Sequence, residues 1–289
     1  MLFLFANNYF IYLYNFYMDK YIIYQGSGGL IHMLGGLAYC CDFVSKNKYR
    51  KLIIDIKNHE AYQNSFCKYF DLSINYSEDY NIIDKELTHF YKIPLTHMDK
   101  NNAILERGLG YIVRYENTFV KVNKSLNKYS EKERILYYCG TGGNNRHLIL
   151  KFIKVNETIM EELKKYKIDK EYIGVHFRNT DIKNNINDYI KQLQQYKNKC
   201  IYLATDDYKA LDIFKKHLPD TEFITFTKPY DKPCENIHFG NPNKDEIIMN
   251  LLIDMYMLYN SNVFIWSPLS LVSKLVKFMR DNNKSIFLL

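Results

Sequence analysis

The sequence predicts an α/β protein built on parallel sheet, and three observations predict it. From Glu171 onward, short apolar runs alternate with stretches of helical period, as strands joined by crossover helices do. Near the N-terminus, a strand at Tyr21 to Tyr24, a helical stretch at Leu30 to Val44 and an apolar run at Lys51 to Ile56 form a βαβ unit. Polar groups also gather where apolar runs end. His176, Arg178, Thr180 and Asp181 follow Tyr172 to Phe177, and Thr205, Asp206 and Asp207 follow Cys200 to Ala204. Open α/β sheets place their ligands at the carboxyl ends of strands.

Bulk properties narrow the class. At 289 residues the chain has room for one large or two medium domains with full cores, and 47% hydrophobic with 25% charged residues is a globular balance. The 27 tyrosines reflect composition bias rather than function. Net charge is +7, but lysines are scattered over helix faces, as at Lys164-Lys165 and Lys215-Lys216. They form no stripe for nucleic acid, although a modest positive field suits an anionic small substrate. The six cysteines contain no CxxC and several sit in apolar runs, so they read as reduced core residues of a cytoplasmic protein. The histidines show no HExxH or paired spacing, and no zinc site is indicated.

In chain order, residues 1–17 are uncharged but lack a basic n-region and a small-residue cleavage site. They read as an N-terminal extension of a soluble chain, with membrane anchoring as the alternative. The first strand runs into Gln25-Gly26-Ser27-Gly28-Gly29 ahead of a helix, a geometry in which backbone N–H groups can receive an anion or simply make a tight connection. It lacks both the full GxGxxG and the GK[ST] of a P-loop. Ala61 to Phe70 is expected as a helix and Tyr111 to Arg114 as a short strand, within a stretch of blurred pattern. A strand at Arg134 to Cys139 leads to a glycine loop, Gly140 to Gly143, and a helix follows from Asn156 to Tyr166. The domain boundary is placed between Cys139 and Val155, giving domains of residues 18–150 and 151–289.

In the second half, a helix through Tyr196, the strand Cys200 to Ala204, a helix at Tyr208 to His217 and a strand at Phe223 to Phe226 follow in turn. Asp206 and Asp207 read as helix caps or acceptors for a ligand in preference to a metal site, because adjacent acids on one strand end seldom converge on one cation. Asp254 falls on or beside the apolar stripe of the helix Asp245 to Tyr259, seven residues after Ile247 and four before Leu258. A carboxylate there is costly unless paired, so it either serves a buried group of the protein or faces a ligand. A strand at Asn262 to Trp266 ends in Ser267-Pro268-Leu269-Ser270. Ser267 or Ser270 there serves as an N-cap or as a phosphate contact.

Taken in order, Gly26-Ser27-Gly28, His176-Phe177-Arg178-Asn179-Thr180-Asp181, Leu203 to Asp207, Asp254 and Ser267 to Ser270 resemble the successive motifs of α1,6-fucosyltransferases and the related nodulation-type fucosyltransferases. The resemblance covers the half from about Asn156 onward. It implies a GT-B fold, two Rossmann-like domains facing across a cleft, and transfer of fucose from GDP-fucose to a glycan acceptor, inverting and without a metal or other cofactor. Protein O-fucosylation, another nucleotide sugar, or an idle nucleotide-sugar-binding protein are the alternatives. By motif, Arg178 would neutralise the β-phosphate, the backbone at Gly26 and Gly28 would close over it, and His176 and Asp254 would read guanine. Asp206, Asp207, Ser267 and Ser270 would support the nucleotide site. Two positions leave the pattern. Asn179 stands where a second Arg is common, and Ile186 stands where a proposed catalytic Glu is common. Asp188 is the substitute base, and Asp181 is expected to hold Arg178.

Overall fold

The computed structural model describes residues 20–26, 28–48, 50–56, 65–78, 103–106, 110–115, 119–122, 126, 135–138, 142–180, 183–227 and 243–287. Expectations for residues 1–17, Met18, the glycine-loop residues Gly140 and Thr141, and Asp181 lie outside these residues. The chain divides into two compact units, one comprising Met1–Gly28, His32–His59 and Leu72–Phe152, the other Gly29–Ile31, Glu60–Asp71 and Ile153–Leu289.

The first unit is built on a seven-stranded sheet. Its strands are β1 (Lys20–Tyr24), β2 (Arg50–Ile54), β4 (Tyr76–Ser77), β5 (Ala103–Glu106), β6 (Gly110–Tyr115), β7 (Phe119–Val122) and β8 (Ile135–Tyr138), with β3 assigned to a segment of the second unit below. The order is β4-β2-β1-β8-β7-β6-β5, parallel from β4 to β7 and antiparallel through β6 and β5. Helix α1 (Leu30–Lys46) makes the first crossover. Ile22, Ile23, Leu34, Leu37, Leu52 and Ile53 are buried together in the core, which is why the short runs KYIIY and RKLII read as strands in spite of their length. Gly35 on α1 and Gly142 approach so closely that a Cβ on Gly35 would lie 1.9 Å from the Gly142 carbonyl oxygen. The Gly142 amide donates to the His32 carbonyl at 3.1 Å, and two glycines are what permit this contact.

The second unit carries a four-stranded parallel sheet of β10 (Tyr172–Phe177), β11 (Cys200–Thr205), β12 (Glu222–Ile224) and β13 (Val263–Ile265), in the order β12-β11-β10-β13. Its helices are α3 (Glu157–Leu163), α4 (Ile186–Leu193), α5 (Ala210–His217), α6 (Lys244–Asn260) and α7 (Leu271–Asp281), α2 (Arg146–Phe152) belonging to the first unit. Counted along the chain, the second unit's strands run third, second, first, fourth, the Rossmann order, in which the switch point lies between first and fourth, whereas the first unit's run third, second, first, seventh, sixth, fifth, fourth. In the second unit that point is between β10 and β13. The first unit keeps the third-second-first half and a parallel neighbour beyond β1, so both units are Rossmann-like, as a GT-B fold requires, the first with an antiparallel extension through β6 and β5.

Every residue of β10 is buried, and its side chains divide by period two. Ile173, Val175 and Phe177 enter the core formed with Tyr189, Ile190, Leu193 and Phe214 of α4 and α5. Phe177 meets Tyr189 and Phe214 edge to face at 5.1 and 5.5 Å, contacts worth about 0.5–1.5 kcal/mol each beyond their area. The alternate residues face α6 and α7: the Tyr172 hydroxyl donates to the Met257 carbonyl at 2.7 Å, and His176 meets Ser273 of α7.

The expected helix at Ala61 to Phe70 is corrected where the structure describes it. Phe66–Lys68 is a single 3-10 turn and Phe70 opens strand β3 (Phe70–Leu72), which forms a two-stranded sheet with β9 (Ile153–Val155). Asn156 supplies the reason. Its side-chain amide donates to the Cys67 and Lys68 carbonyls, each at 2.9 Å, and its backbone amide donates to the Tyr69 carbonyl. Those carbonyls would otherwise accept the next turn of an α-helix. Lys68 and Tyr69 are fastened further by Asp245 of α6. Among the described residues, no helix is long and apolar enough to cross a membrane.

Candidate functional site

The carboxyl ends of β10, β11 and β13 bring together most of the residues singled out in the second half of the sequence. Arg178 follows β10, and its Nε lies 2.9 Å from Asp206 Oδ2 in a pair that is mostly buried. Asp206 also gathers the rest of the loop, accepting from the Asn179 amide at 2.7 Å and the Thr180 hydroxyl at 2.6 Å. Asp206 is thus a carboxylate that holds Arg178, and the same role expected of Asp181 lies outside the described residues. Asp207 accepts from Asn179 Nδ2 at 2.7 Å and from the Lys209 amide at 2.9 Å. The two acids serve the β10 loop and the approach to α5, and among the described residues no group of three His, Cys, Asp or Glu could hold a metal ion. Asn179, which stands in place of a second Arg, spends its side chain on Asp207.

His176 is buried at the end of β10, its Nδ1 2.6 Å from Ser273 Oγ. Burial, and secondarily the charge of Arg178, push its pKa down to about 3, so the imidazole is neutral at working pH. Ser267 and Ser270 turn their hydroxyls inward. Ser270 is the N-cap of α7, accepting from the Ser273 amide, and Ser267 Oγ accepts from Asn184 Nδ2 at 3.1 Å. Asn184 in turn donates to the Arg178 carbonyl. A continuous chain of bonds therefore runs from the Arg178 backbone through Asn184 and Ser267 to Ser273 and His176, lacing β10 to the β13–α7 turn across the switch point.

Asp254 lies on the inner side of α6, and its Oδ1 accepts from the Tyr202 hydroxyl at 2.6 Å and the Thr227 hydroxyl at 2.9 Å. Burial pushes its pKa up to about 7; the two hydroxyls lower it and the charge of Asp206 raises it. Burial, and then the Asp254 carboxylate, push Tyr202 well up. Asp254 Oδ2 makes no hydrogen bond among the described residues. Asp188 is exposed in the first turn of α4 and makes no side-chain hydrogen bond or ion pair with this cluster among the described residues. In the other unit, Gly26 and Gly28 follow β1 with φ of +52° and +77°, a left-handed backbone that favours glycine at both.

Chemically, the second unit's cluster offers a guanidinium with a fixed counter-charge, a neutral buried imidazole and a carboxylate with one oxygen uncommitted. Sequence reasoning missed Ser273, Asn184, Tyr202 and Thr227. Ser273 had a signal: it lies three residues before Val276 and six before Met279, a polar residue on the buried stripe of α7.

No family model matches the chain, and no curated protein matches it in sequence. Solved structures do share its fold. NodZ α-1,6-fucosyltransferase co-crystallized with GDP is similar over 90% of this chain and 92% of that one, at 15% identity and a TM-score of 0.52. Fucosyltransferase NodZ from Bradyrhizobium gives the same identity and coverage with a TM-score of 0.51. A mutant of Arabidopsis thaliana FUT1 in complex with GDP is similar over 91% of this chain and 69% of that one, at 12% identity and a TM-score of 0.53. At such identities the likeness establishes the fold, the mixed α/β GT-B architecture of fucosyltransferases.

Proposed function

We propose that this chain is a glycosyltransferase that binds GDP-fucose and transfers fucose to an acceptor hydroxyl, with inversion and without a metal. The observation that carries the reading is Arg178, held by Asp206 at the switch point of a Rossmann-like sheet, with His176 and Asp254 supplying base-reading groups. The fold neighbours crystallized with GDP support the choice of nucleotide. The acceptor oxygen attacks the anomeric carbon as the bond from that carbon to the β-phosphate oxygen breaks, and GDP leaves with the electron pair. Negative charge grows on the departing phosphate. A guanidinium already oriented by a carboxylate meets that charge without reorganising, the arrangement that most effectively lowers such a barrier.

Guanine offers N1–H and N2–H donors, for which Asp254 is the acceptor in this reading, with Oδ2 as its uncommitted oxygen. Asp188 is the proposed base for the acceptor proton. An idle nucleotide-sugar-binding protein is the second reading, favoured by Ile186 at the position of the family's Glu and by the exposure of Asp188.

Turnover of GDP-fucose with a panel of glycan acceptors, run with EDTA, tests the proposal. Transfer is expected to persist in EDTA, and Arg178→Ala is expected to lower it by about 10²–10³-fold. Near-normal turnover in that variant would sink the assignment. GDP binding without any turnover would establish the second reading, and inhibition by EDTA would remove the metal-free mechanism.

A further inference from the structure

We propose that Ser273 is a positioning residue that fixes His176 as the Nε2–H tautomer, so that the site selects a purine carrying a 6-carbonyl over one carrying a 6-amine. This rests on the guanine-nucleotide reading above and adds a residue to it. A serine hydroxyl has one hydrogen to give and two lone pairs to accept with. Ser273 Oγ receives the Ser267 amide at 3.0 Å, and a backbone N–H can only donate. Its other partner is His176 Nδ1 at 2.6 Å, and no further acceptor stands at that oxygen among the described residues.

Ser273 is wholly buried. If Nδ1 carried the imidazole proton, Ser273 Oγ would face two donors, and its own hydrogen would be sealed in the interior without an acceptor, a costly state. The satisfied arrangement has the hydroxyl donating to a bare Nδ1. The imidazole is neutral, so its proton sits on Nε2. That nitrogen makes no hydrogen bond among the described residues and is not sealed in the interior.

The Ser273 oxygen is itself anchored by the β13–α7 turn, since Ser267 donates to it and the Ser273 amide reaches the N-cap Ser270 at 3.5 Å. The fold therefore dictates that His176 presents a donor. O6 of guanine or hypoxanthine accepts from it, whereas the 6-amine of adenine opposes it donor to donor. An imidazole free to exchange its proton between nitrogens would tolerate both.

The test has two arms. Long-range 1H–15N correlation spectra of the wild-type protein, with His176 assigned by substitution, are expected to show a bare Nδ1 and a protonated Nε2. Calorimetry with GDP, IDP and ADP then compares the wild type with Ser273→Ala and Ser273→Thr. Ser273→Ala is expected to weaken GDP and IDP alike by about tenfold and to narrow the GDP-to-ADP ratio by a similar factor, while Ser273→Thr, which keeps the hydroxyl, stays close to wild type.

A wild-type spectrum with the proton on Nδ1 overturns the proposal even if GDP binds tightly, and needs no variant to fold. An unchanged GDP-to-ADP ratio in folded Ser273→Ala also overturns it. A wild type that shows the Nε2–H form but binds no GDP sinks the guanine-nucleotide reading, and the selectivity claim with it, while leaving the spectroscopic assignment of the tautomer.

Discussion

Asp254 and His176 are displaced in opposite directions by the same cause, removal of a charge from water. The carboxyl is pushed up to about 7 and the imidazole down to about 3. For stability the signs follow directly. A carboxyl whose folded pKa exceeds its ordinary 3.8 contributes most below that value, and the contribution is lost as pH rises through about 7. His176 contributes fully above its ordinary 6.5, and loses that contribution as pH falls towards about 3. If guanine N–H donors require an ionised Asp254, GDP affinity should rise about tenfold between pH 6 and 8. Calorimetry across that range measures it, with Asp254→Asn expected to bind weakly and to lose the dependence; an identical profile in both proteins would refute the role. Asp254 itself was legible in the sequence, because a carboxylate on an apolar helical stripe demands a partner. The partners were not. Tyr202 and Thr227 come from 52 and 27 residues away, and no local pattern ties them to it.

At the scale of elements, the apolar runs of the second half identified themselves as strands because a sheet covered on both faces needs no alternation, only length and a polar stop. The helix expected at Ala61 to Phe70 failed for the opposite reason: the carbonyls of Cys67 and Lys68 are claimed by Asn156, almost ninety residues on. Helix α6 ends by a similarly distant device. Arg280 on α7 donates through Nη1 to the carbonyls of Leu258, Tyr259 and Ser261, at 3.2, 2.7 and 2.6 Å, and through Nη2 to that of Asn262 at 3.2 Å. A helix end leaves its last carbonyls without partners, and one guanidinium serves them here. Arg280→Ala is expected to destabilise the protein by about 2–3 kcal/mol, by analogy with lost charged hydrogen bonds. Denaturant titration gives the magnitude, and faster amide exchange near residues 258–262 locates it; an unchanged midpoint would show that water replaces Arg280 at no cost.

At the scale of the whole molecule, ligand linkage offers a readout that requires no acceptor. A nucleotide bound only by the folded protein stabilises it by about 2.7 kcal/mol at a hundredfold excess over Kd. A thermal shift is therefore expected with GDP and GDP-fucose, undiminished by EDTA, and much smaller with ADP or UDP. Equal shifts with all four would mean that phosphate alone is recognised. The two-unit plan was legible in outline, since each βαβ start is local. The return of residues 60–71 to the second unit was not, because the residues that fasten them appear only later in the chain.

That return bears on how the protein is made. Tyr69 leaves the ribosome long before Asn156 and Asp245, the residues that hold it, and the Val155 amide must wait for the Ile286 carbonyl at 2.8 Å. At synthesis rates of about 5–20 residues per second, those early aromatic side chains stay uncovered for many seconds. The second unit closes only when the region around Ile286 has emerged. Until then Phe66, Tyr69 and Phe70, all buried in the finished protein, are the surface a chaperone would meet.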